Sequence, residues 1–251
     1  MTERLSMAEK LRYWYRAWRY RTRCEPGEIR FILDTVKAGQ TCIDIGGHKG
    51  AFTYWLSRKV GAAGRGITFE PQHELASYLA RITSGYGFDN VEVIELALST
   101  MRESRVMFRE TEAPSPGASL LSASTKGIEF TVEVESLDRV LAQRGVERVD
   151  FIKCDVEGHE LEVFRGGEET LRQFKPTLMF ECEKRHRGER PLQEVFDYLE
   201  SLGYEGQLIY RKKLHPLSVY PIGNITPGHV DYVNNFVFRA LPDRRLTSRA
   251  A

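Results

Sequence analysis

The sequence predicts an α/β fold built on a doubly wound, mostly parallel sheet. Short apolar runs alternate with amphipathic stretches of helical length over most of the 251 residues, which implies right-handed crossovers between parallel strands. Two of the apolar runs, within 41–50 and 151–158, end in acidic residues beside glycines. Open α/β sheets bind ligands at the carboxyl ends of their strands, so these two segments predict a ligand site. The chain length suits one such domain.

Helices are predicted before the sheet. Ser6 and Glu9 have the spacing of a capping box, which predicts a helix from there to about Arg23. A second helix is predicted over 26–37. We divide the chain into a helical extension (1–38), a sheet domain (39–240) and a polar, basic tail (241–251) that we expect to be disordered.

Strands and helices follow one another regularly in the sheet domain. The predicted elements are strand 41–45, helix 50–60, strand 66–70, helix 72–84, strand 91–97, helix 136–144, strand 149–155, helix 160–174, strand 176–183, helix 191–202, strand 206–210 and a last strand 232–238. A β-pair, 106–109 with 129–134, encloses residues 111–127, whose prolines, glycines and serines predict a long mobile loop. Residues 211–231 contain three prolines and are the predicted cap over the substrate.

The segment FIKCDVEGHELE at 151–162 combines a buried strand with a polar strand end. Asp155 and Glu157 would reach the crevice, where carboxylates are costly unless they bind a cation, orient a hydroxyl or accept a proton. Together with His159, and with Glu181 at the end of the next strand, they are the candidate catalytic residues. In the alternative interpretation, the acidic residues after the strand only cap the following helix.

A divalent metal is an alternative use of the same strand ends. The side chains that could converge there are Asp155, Glu157, His159, Glu181, Glu183 and His186. Their carboxylate oxygens suit magnesium or manganese, which would lower the pKa of a substrate hydroxyl. Charged residues at strand ends also pair with basic ones, however, and Lys153, Lys184 and Arg185 lie nearby. We therefore do not favour a metal.

A second segment, 41–53, runs from a strand into a glycine-rich turn and a helix. The next strand ends in Glu70 and Pro71. Glu70 lies about twenty residues beyond the glycines, and an acid at this spacing suits bidentate hydrogen bonding to ribose hydroxyls. A dinucleotide fingerprint would need glycine in place of Ile45, and Asp44 would repel a pyrophosphate. S-adenosylmethionine fits better, since it carries a ribose and positive charges but no phosphate.

The segments IDIGGHKGAFT, FEP, ELALS, VESLDRVL and DFIKCDVEGHELEVFRGG resemble the FkbM family of S-adenosylmethionine-dependent methyltransferases. The resemblance runs from about residue 25 to about residue 183. It implies the class I methyltransferase fold with an antiparallel last strand, and methylation of hydroxyls on sugars, glycolipids or polyketides. This chain departs from the family pattern at Gly47-His48-Lys49, where a small residue, an asparagine and an apolar residue are more familiar.

The resemblance also implies which residues of the domain 39–240 contact the cofactor. Asp44, Gly46 and Gly50 would form the cofactor loop, with Gly47 and His48 inside it; Glu70, followed by Pro71, would hold the ribose; Ala97 and Leu98 would lie near the adenine; and Asp155 would face the methionine end. All these positions lie at or beyond Asp44. We therefore expect cofactor binding not to require residues 1–23.

The N-terminal helix carries an apolar stripe, Leu11, Trp14, Tyr15 and Trp18, beside a stripe of arginines. Residues 1–25 hold seven Lys/Arg against three Glu. Such a helix can lie on an anionic membrane or glycolipid surface. We favour the alternative, in which the apolar stripe packs on the sheet or on a partner subunit and the arginines face water. Nucleic-acid binding is not expected, since no further basic, aromatic surface is visible.

The composition limits the classes of function. With 36 Lys/Arg against 35 Asp/Glu, the chain gains no support for a role in binding bulk polyanions. No apolar run is long enough to span a membrane, and the N-terminus lacks a signal-peptide core. The four cysteines show neither metal nor disulfide spacing, and Cys42, Cys154 and Cys182 fall in predicted strands as small buried side chains. These features favour a cytoplasmic protein.

We therefore expect an S-adenosylmethionine-dependent O-methyltransferase that acts on a hydroxyl of a carbohydrate-containing or polyketide-like metabolite. Alternatives on the same fold are an N-methyltransferase and a protein or nucleic-acid methyltransferase. An oxidoreductase with a nicotinamide cofactor and a nucleotide-binding module without catalysis represent other classes. The fold by itself does not distinguish among them.

Overall fold

An eight-stranded mixed sheet organises the computed structural model, which describes residues 5–109, 120, 128–187, 190–219 and 232–242. The strands are β1 (Thr41–Ile45), β2 (Arg65–Phe69), β3 (Val91–Ile94), β4 (Ala97–Leu98), β5 (Glu103–Arg109), β6 (Ile128–Glu135), β7 (Phe151–Cys154), β8 (Thr177–Glu181), β9 (Tyr204–Tyr210), β10 (Lys213–Pro216) and β11 (Asn235–Ala240). The spatial order is β10-β9-β11-β8-β7-β1-β2-β3, and β4, β6 and β5 form a small separate sheet. Strands β3, β2, β1, β7 and β8 are parallel, whereas β11 is antiparallel to both of its neighbours. The predicted doubly wound sheet with an antiparallel last strand is confirmed.

Helices cover both faces of the large sheet. They are α1 (Met7–Arg19), continued by a π-helical turn (Tyr20–Cys24), α2 (Pro26–Thr35), α3 (Ala51–Val60), α4 (His73–Gly85), α5 (Leu137–Gln143), α6 (Glu160–Arg165), α7 (Glu168–Phe174), α8 (Lys184–Arg187), α9 (Gln193–Ser201) and a 3-10 turn (Leu217–Val219). Successive residues of a strand point to opposite faces. Ile43 accordingly packs in the core beneath α5, α6 and α9, and Cys42 in the core beneath α2 and α3. The predicted burial of Cys42, Cys154 and Cys182 is confirmed.

Three predicted elements are divided or shortened. The predicted helix 160–174 breaks into α6 and α7 at Gly166 and Gly167. Glycine is required at position 166, because a side chain there would collide with the carbonyl oxygen of Ser99. The predicted strand 91–97 breaks after Ile94, and β4 leaves the large sheet to pair with β6. The predicted strand 149–155 is only β7, so Asp155 lies just beyond the strand rather than on it.

Three further predictions fall partly outside the described residues. The predicted loop 111–127 lies outside them except for residue 120, and so do residues 220–231 of the predicted cap and residues 243–251 of the predicted tail. The described part of the cap contains β10, which pairs antiparallel with β9 and which the sequence analysis did not predict.

The N-terminal helix packs through a different face from the one we expected. Its buried residues are Tyr13 and Ala17, whereas Leu11, Trp14 and Tyr15 of the apolar stripe are exposed. Trp18 of the stripe does pack on the domain, with its ring 5.4 Å from that of Trp55. The expectation that the stripe packs on the sheet is wrong for the other three residues, and packing on a partner subunit stays a prediction. Two hydrogen bonds attach the buried face to the domain: the Tyr13 hydroxyl donates to the Gly50 carbonyl oxygen at 3.1 Å, and the Trp55 indole donates to the Ala17 carbonyl oxygen at 2.9 Å.

We predict that Tyr13→Phe lowers the free energy of unfolding by about 1 kcal/mol, the usual net contribution of one neutral hydrogen bond. The loss stays modest because the Gly50 carbonyl oxygen also accepts a bond from the Tyr54 amide, at 3.0 Å. The matched control is Tyr15→Phe on the exposed face, which should change the stability by less than about 0.5 kcal/mol. Urea denaturation of both variants measures the difference; equal losses would mean that the Tyr13 hydroxyl does not hold α1.

Candidate active site

An open cleft lies at the carboxyl ends of β1, β2 and β7. It is lined by Arg16, Tyr20, Ile45, Gly46, Gly47, His48, Lys49, Ala51, Phe52, Phe69, Glu70, Pro71, Gln72, Leu96, Ala97, Leu98, Met107, Leu120, Lys153, Asp155, Val156, Glu157 and His159. The two segments singled out in the sequence therefore meet in one site. Arg16 and Tyr20 come from the N-terminal helices, so residues before Asp44 also line the cleft. The expectation that cofactor binding does not require residues 1–23 stays a prediction.

The glycine loop after β1 closes over the end of β2. The amides of Gly46 and Gly47 both donate to the Phe69 carbonyl oxygen at 2.9 Å. Gly46 has φ +81°, and a side chain there would collide with the carbonyl oxygen of Asp155. Only glycine fits this position, which brings bare backbone to the wall of the cleft. Gly50 does not line the cleft; it caps α3 and packs beneath Tyr13.

Asp44 lies beneath the glycine loop and does not line the cleft. Its side chain is buried, with only 1% of the residue exposed. Oδ2 accepts a hydrogen bond from the Thr53 hydroxyl at 2.6 Å, and Oδ1 lies 3.7 Å from the Lys153 ammonium. In the structure Asp44 thus joins β1 to α3 and β7, so its support of the cofactor loop is indirect.

Glu70 is buried at the end of β2 with its carboxylate on the cleft wall. Oε2 accepts from the His48 amide at 2.8 Å and Oε1 from the Gln72 amide at 3.0 Å. Burial raises the pKa of Glu70 to about 7, although these two backbone hydrogen bonds oppose the shift. Each oxygen can accept more than one hydrogen bond, so both can also receive a ligand hydroxyl. Pro71 and, from β4, Ala97 and Leu98 complete this end of the cleft.

Lys153 is a buried residue of the cleft wall that the sequence analysis noted only as a neighbouring charge. Its ammonium lies 3.4 Å from Asp155 Oδ2 and 3.3 Å from the Gly46 carbonyl oxygen, and 4.9 Å from the centre of the Phe52 ring. Burial opposes the charge, yet the carboxylates of Asp155 and Asp44 raise the pKa of Lys153 above its ordinary value. A lysine inside an otherwise apolar strand was the signal that could have identified it.

Asp155 and Glu157 bring carboxylates to the cleft from the loop after β7. The Asp155 amide donates to the Ile45 carbonyl oxygen at 3.0 Å, and its side chain is partly exposed. Glu157 has φ +54°, and its Oε2 lies 2.5 Å from His186 Nδ1. Burial opposes protonation of His186, but the hydrogen bond with Glu157 raises its pKa. The structure thus pairs Glu157 with a histidine from α8.

His159 lies on the cleft wall, whereas Glu181 does not line the cleft. His159 is buried on the cleft wall, with Nε2 3.0 Å from the Ser99 hydroxyl, and burial lowers its pKa to about 4, so its ring is neutral at pH 7. Glu181 does not line the cleft. Its Oε1 accepts from the Asn234 amide at 2.9 Å, and burial together with Asp155 raises the pKa of Glu181. Of the four candidate catalytic residues, the structure places three on the cleft and sets Glu181 apart.

Two ion pairs lie near these strand ends. Glu183 pairs with Arg185, as Asp155 does with Lys153. Within the described ranges, no group of three or more His, Cys, Asp or Glu side chains is arranged to hold a metal ion. In the same part of the chain, no helix is both long and apolar enough to cross a membrane.

Comparisons with known proteins agree with these features. The family model described as "Methyltransferase FkbM domain" matches residues 44–205, more than half of the chain. The 2-O-methyltransferase NoeI of Sinorhizobium fredii is 31% identical over 91 residues, which cover 33% of this chain and 37% of NoeI. The match thus spans only about a third of that relative.

Two solved structures share the fold. The methyltransferase FkbM from Methylobacillus flagellatus superposes with a TM-score of 0.53 at 15% identity, covering 94% of this chain and 56% of that one. The O-methyltransferase from Bacillus cereus in complex with SAH gives a TM-score of 0.52 at 12% identity, covering 95% and 92% of the two chains. The predicted class I methyltransferase fold is thereby confirmed.

The residues of the cleft fit S-adenosylmethionine. Gly46 and Gly47 offer backbone without side chains, Glu70 offers a buried carboxylate for the ribose, and the charge of Asp155 suits the cationic methionine end. The buried Nε2 of His48 has no hydrogen-bond partner in the part of the chain that the structure describes. Burial lowers the pKa of His48 to about 4, so this ring is neutral and can still hydrogen-bond a ligand.

We predict that Glu70→Ala weakens the binding of S-adenosylhomocysteine by about 1.5–3 kcal/mol, because charge-assisted hydrogen bonds to the ribose are lost. Glu70→Gln should cost less, since it keeps one acceptor oxygen. Isothermal titration calorimetry measures both affinities. If both variants bind as tightly as the wild type, Glu70 is not the ribose anchor.

We also predict that S-adenosylhomocysteine binds more tightly as the pH rises through about 7, because only the ionised Glu70 offers both oxygens to the ribose. Binding should then release a proton below pH 7, which titrations in buffers of different ionisation enthalpy detect.

The stability of the ligand-free protein should depend on pH in the opposite direction. The pKa of Glu70 is raised from 4.5 in the unfolded chain, so its contribution to stability is present below pH 4.5 and is lost as the pH rises towards 7. A pH response that persists in Glu70→Gln would assign the proton to another group.

Proposed function

The chain belongs to the FkbM methyltransferase family, whose methyl donor is S-adenosylmethionine, and we propose that it methylates a hydroxyl of a carbohydrate-containing or polyketide-like metabolite. The observation that carries this proposal is the partly exposed carboxylate of Asp155 on the wall of the cofactor cleft. The name of the relative NoeI, a 2-O-methyltransferase, supports an oxygen acceptor. Membership of the family supports a methyltransferase over the two other classes, a nicotinamide oxidoreductase and a nucleotide-binding module without catalysis.

Alignment and proton acceptance are the tasks that methyl transfer leaves to the protein. In S-adenosylmethionine the methyl group is bonded to a positively charged sulfur. The nucleophile attacks the methyl carbon in line with this bond and displaces the sulfur. An alcohol nucleophile must also lose its proton, and a positioned carboxylate can accept it. In our proposal Asp155 is this base, because Lys153 holds its Oδ2 at 3.4 Å and thereby fixes its orientation. Removing water from the cleft strengthens such contacts.

The other two candidates on the cleft have supporting roles in this proposal. His186 fixes the orientation of the Glu157 carboxylate on the cleft wall, and we assign Glu157 to hydrogen-bonding a second hydroxyl of the acceptor. His159 is neutral and buried against Ser99, which suits a fixed hydrogen-bonding group better than a base exchanging protons with solvent. Tyr20 and Phe52 add aromatic surface to the same cleft. Apolar rings beside a few placed carboxylates are suited to a polyhydroxylated ligand.

The acceptor is tested by following a labelled methyl group. The purified protein is incubated with S-adenosylmethionine carrying a tritiated methyl group and with separate panels of saccharides, macrolactone alcohols, amines and RNA. We expect label only in hydroxyl-bearing saccharides or lactones, as base-stable methyl ethers identified by mass spectrometry. Label transferred to amines or RNA, with none in the hydroxyl panels, would replace this proposal by the N- or nucleic-acid methyltransferase alternative.

We predict that Asp155→Asn lowers kcat by one to several orders of magnitude, the usual effect of losing a general base. The variant should melt somewhat earlier, because Lys153 loses one of its two carboxylate partners, but it should stay folded at the assay temperature because Asp44 remains. The comparison variant is Glu181→Gln, which replaces a carboxyl group outside the cleft by an amide of the same shape. It should retain turnover within about threefold. If Asp155→Asn keeps full turnover and only melts earlier, Asp155 is structural; if Glu181→Gln loses turnover instead, Glu181 is the base.

A further inference from the structure

Exposed apolar side chains are concentrated on one face of α1. Among the residues that the structure describes, seven large hydrophobic side chains are exposed, and four of them lie on this helix: Met7 (72%), Leu11 (57%), Trp14 (42%) and Tyr15 (59%). They are spaced by three, four or one residues, so they share one side of the helix. Trp18, one turn further along, is half-buried: its ring lies 5.7 Å from that of Trp14 and 5.4 Å from that of Trp55, so the exposed part of the face ends at Tyr15.

The outer face cannot be turned inward without detaching the helix. Tyr13 and Ala17, on the opposite side, are buried and hydrogen-bonded to the domain, and Arg16 donates to the Lys49 carbonyl oxygen at 3.2 Å. The capping box of Ser6 and Glu9 fixes the start of the same helix. The apolar outer face is therefore presented to the surroundings by a rigidly held helix, and contiguous apolar surface of this kind indicates an interaction site.

Cationic side chains border the outer face on both sides. Arg12 and Arg19 are exposed and lie three and four residues from Tyr15, and Lys10 lies three residues from Met7. Glu9 does not offset them, because its carboxylate binds Ser6 and lies 2.7 Å from Arg81. An apolar face with a cationic border is the pattern of a helix that lies in the plane of a membrane surface.

We propose that α1 docks on an anionic membrane surface through its outer face. Met7, Leu11 and Trp14 enter the boundary between headgroups and acyl chains, while Arg12, Arg19 and Lys10 contact lipid phosphates. Trp and Tyr suit this depth because their rings are apolar and carry one polar group. With 13 residues, α1 provides about 20 Å of contact parallel to the surface. This proposal does not depend on the identity of the methyl acceptor.

Charge argues against the other occupants of the face. In a symmetric dimer formed through this face, a two-fold axis would bring the cationic borders of the two copies, which hold Lys10, Arg12 and Arg19, close to each other, and like charges across an interface are costly. A nucleic acid would neutralise the arginines but leave Met7 and Leu11 in water. An anionic bilayer satisfies the apolar and the cationic parts together.

Docking in this orientation keeps the cleft beside the membrane. Arg16 and Tyr20, from the inner side of α1 and the turn after it, line the cleft, so the outer face and the cleft are separated by about one helix diameter, ~10 Å. The contact leaves the hydrogen bonds of Tyr13 and Arg16 to the glycine loop untouched.

Vesicle flotation of the full chain tests the proposal. We expect flotation with phosphatidylcholine vesicles that contain phosphatidylglycerol, weak or no flotation with pure phosphatidylcholine, and release at about 0.5 M salt, where charges are screened within a few ångströms. Arg12→Gln and Arg19→Gln should each weaken the partition coefficient about fivefold, and the double variant Leu11→Ser/Trp14→Ser more than tenfold.

The matched control is Met101→Ser, which removes a side chain of the same exposure as Tyr15 (59%) from another part of the surface. It should float like the wild type, and Tyr15→Ser should not. Circular dichroism and S-adenosylhomocysteine binding confirm that each variant is folded, so a failure of docking is separate from a failure of the cofactor site. Absence of flotation with anionic vesicles overturns the proposal. Self-association lost in Leu11→Ser/Trp14→Ser by sedimentation velocity would then identify a second copy as the occupant.

Discussion

The buried ammonium of Lys153 holds together the two strand ends on which the site is built. β1 and β7 are parallel neighbours with Asp44 opposite Lys153, and the ammonium contacts the carboxylates of Asp44 and Asp155 and the carbonyl oxygen of Gly46. One cation thus ties the loop after β1 to the loop after β7. Leaving one partner of a buried ion pair alone typically costs about 3–5 kcal/mol. Acidic residues at both strand ends are tolerated because this lysine lies between them.

Left-handed backbone at these strand ends directs the polar groups of the cleft. Gly46, His48 and Glu157 all have positive φ, between 47° and 81°. A residue with a side chain pays about 1–3 kcal/mol for such a conformation, so other contacts must hold it. The His48 amide binds Glu70, and the Glu157 carboxylate binds His186. Histidine can replace the asparagine that is more familiar in the family at position 48 for two reasons. Glu70 is bound by the backbone amide of this residue and not by its side chain, and both asparagine and histidine tolerate the left-handed region.

Local sequence patterns predicted the sheet and the place of the site, but not every contact. Apolar runs ending in acids at Asp155 and Glu70 mark strand ends, and parallel strands necessarily bring such ends together. Glu157 and its partner His186 are distant in sequence and left no local signal, so their ion pair was not predicted. The break between α6 and α7 did have a local signal, the adjacent Gly166 and Gly167, which the helical pattern on either side concealed. The helical spacing of apolar residues correctly predicted which residues of α1 lie on one side. It does not predict whether that side contacts the domain, because spacing carries no information about what the side packs against.

The two sides of the N-terminal helix α1 have different roles: the inner side contacts the glycine loop beside the cleft, and the outer side is exposed on the surface. Tyr13 binds the Gly50 carbonyl oxygen and Arg16 binds that of Lys49, so the inner side of α1 braces the end of the glycine loop, with Arg16 itself on the cleft wall. Any change that detaches α1 therefore removes Arg16 from the cleft wall, although α1 lies outside the segments that resemble the family. The outer side carries none of these contacts. A partner bound to the outer side does not compete with the cofactor, because the cleft lies on the inner side of α1. It stabilises the attached helix over the detached one to the extent that its contacts require the attached state.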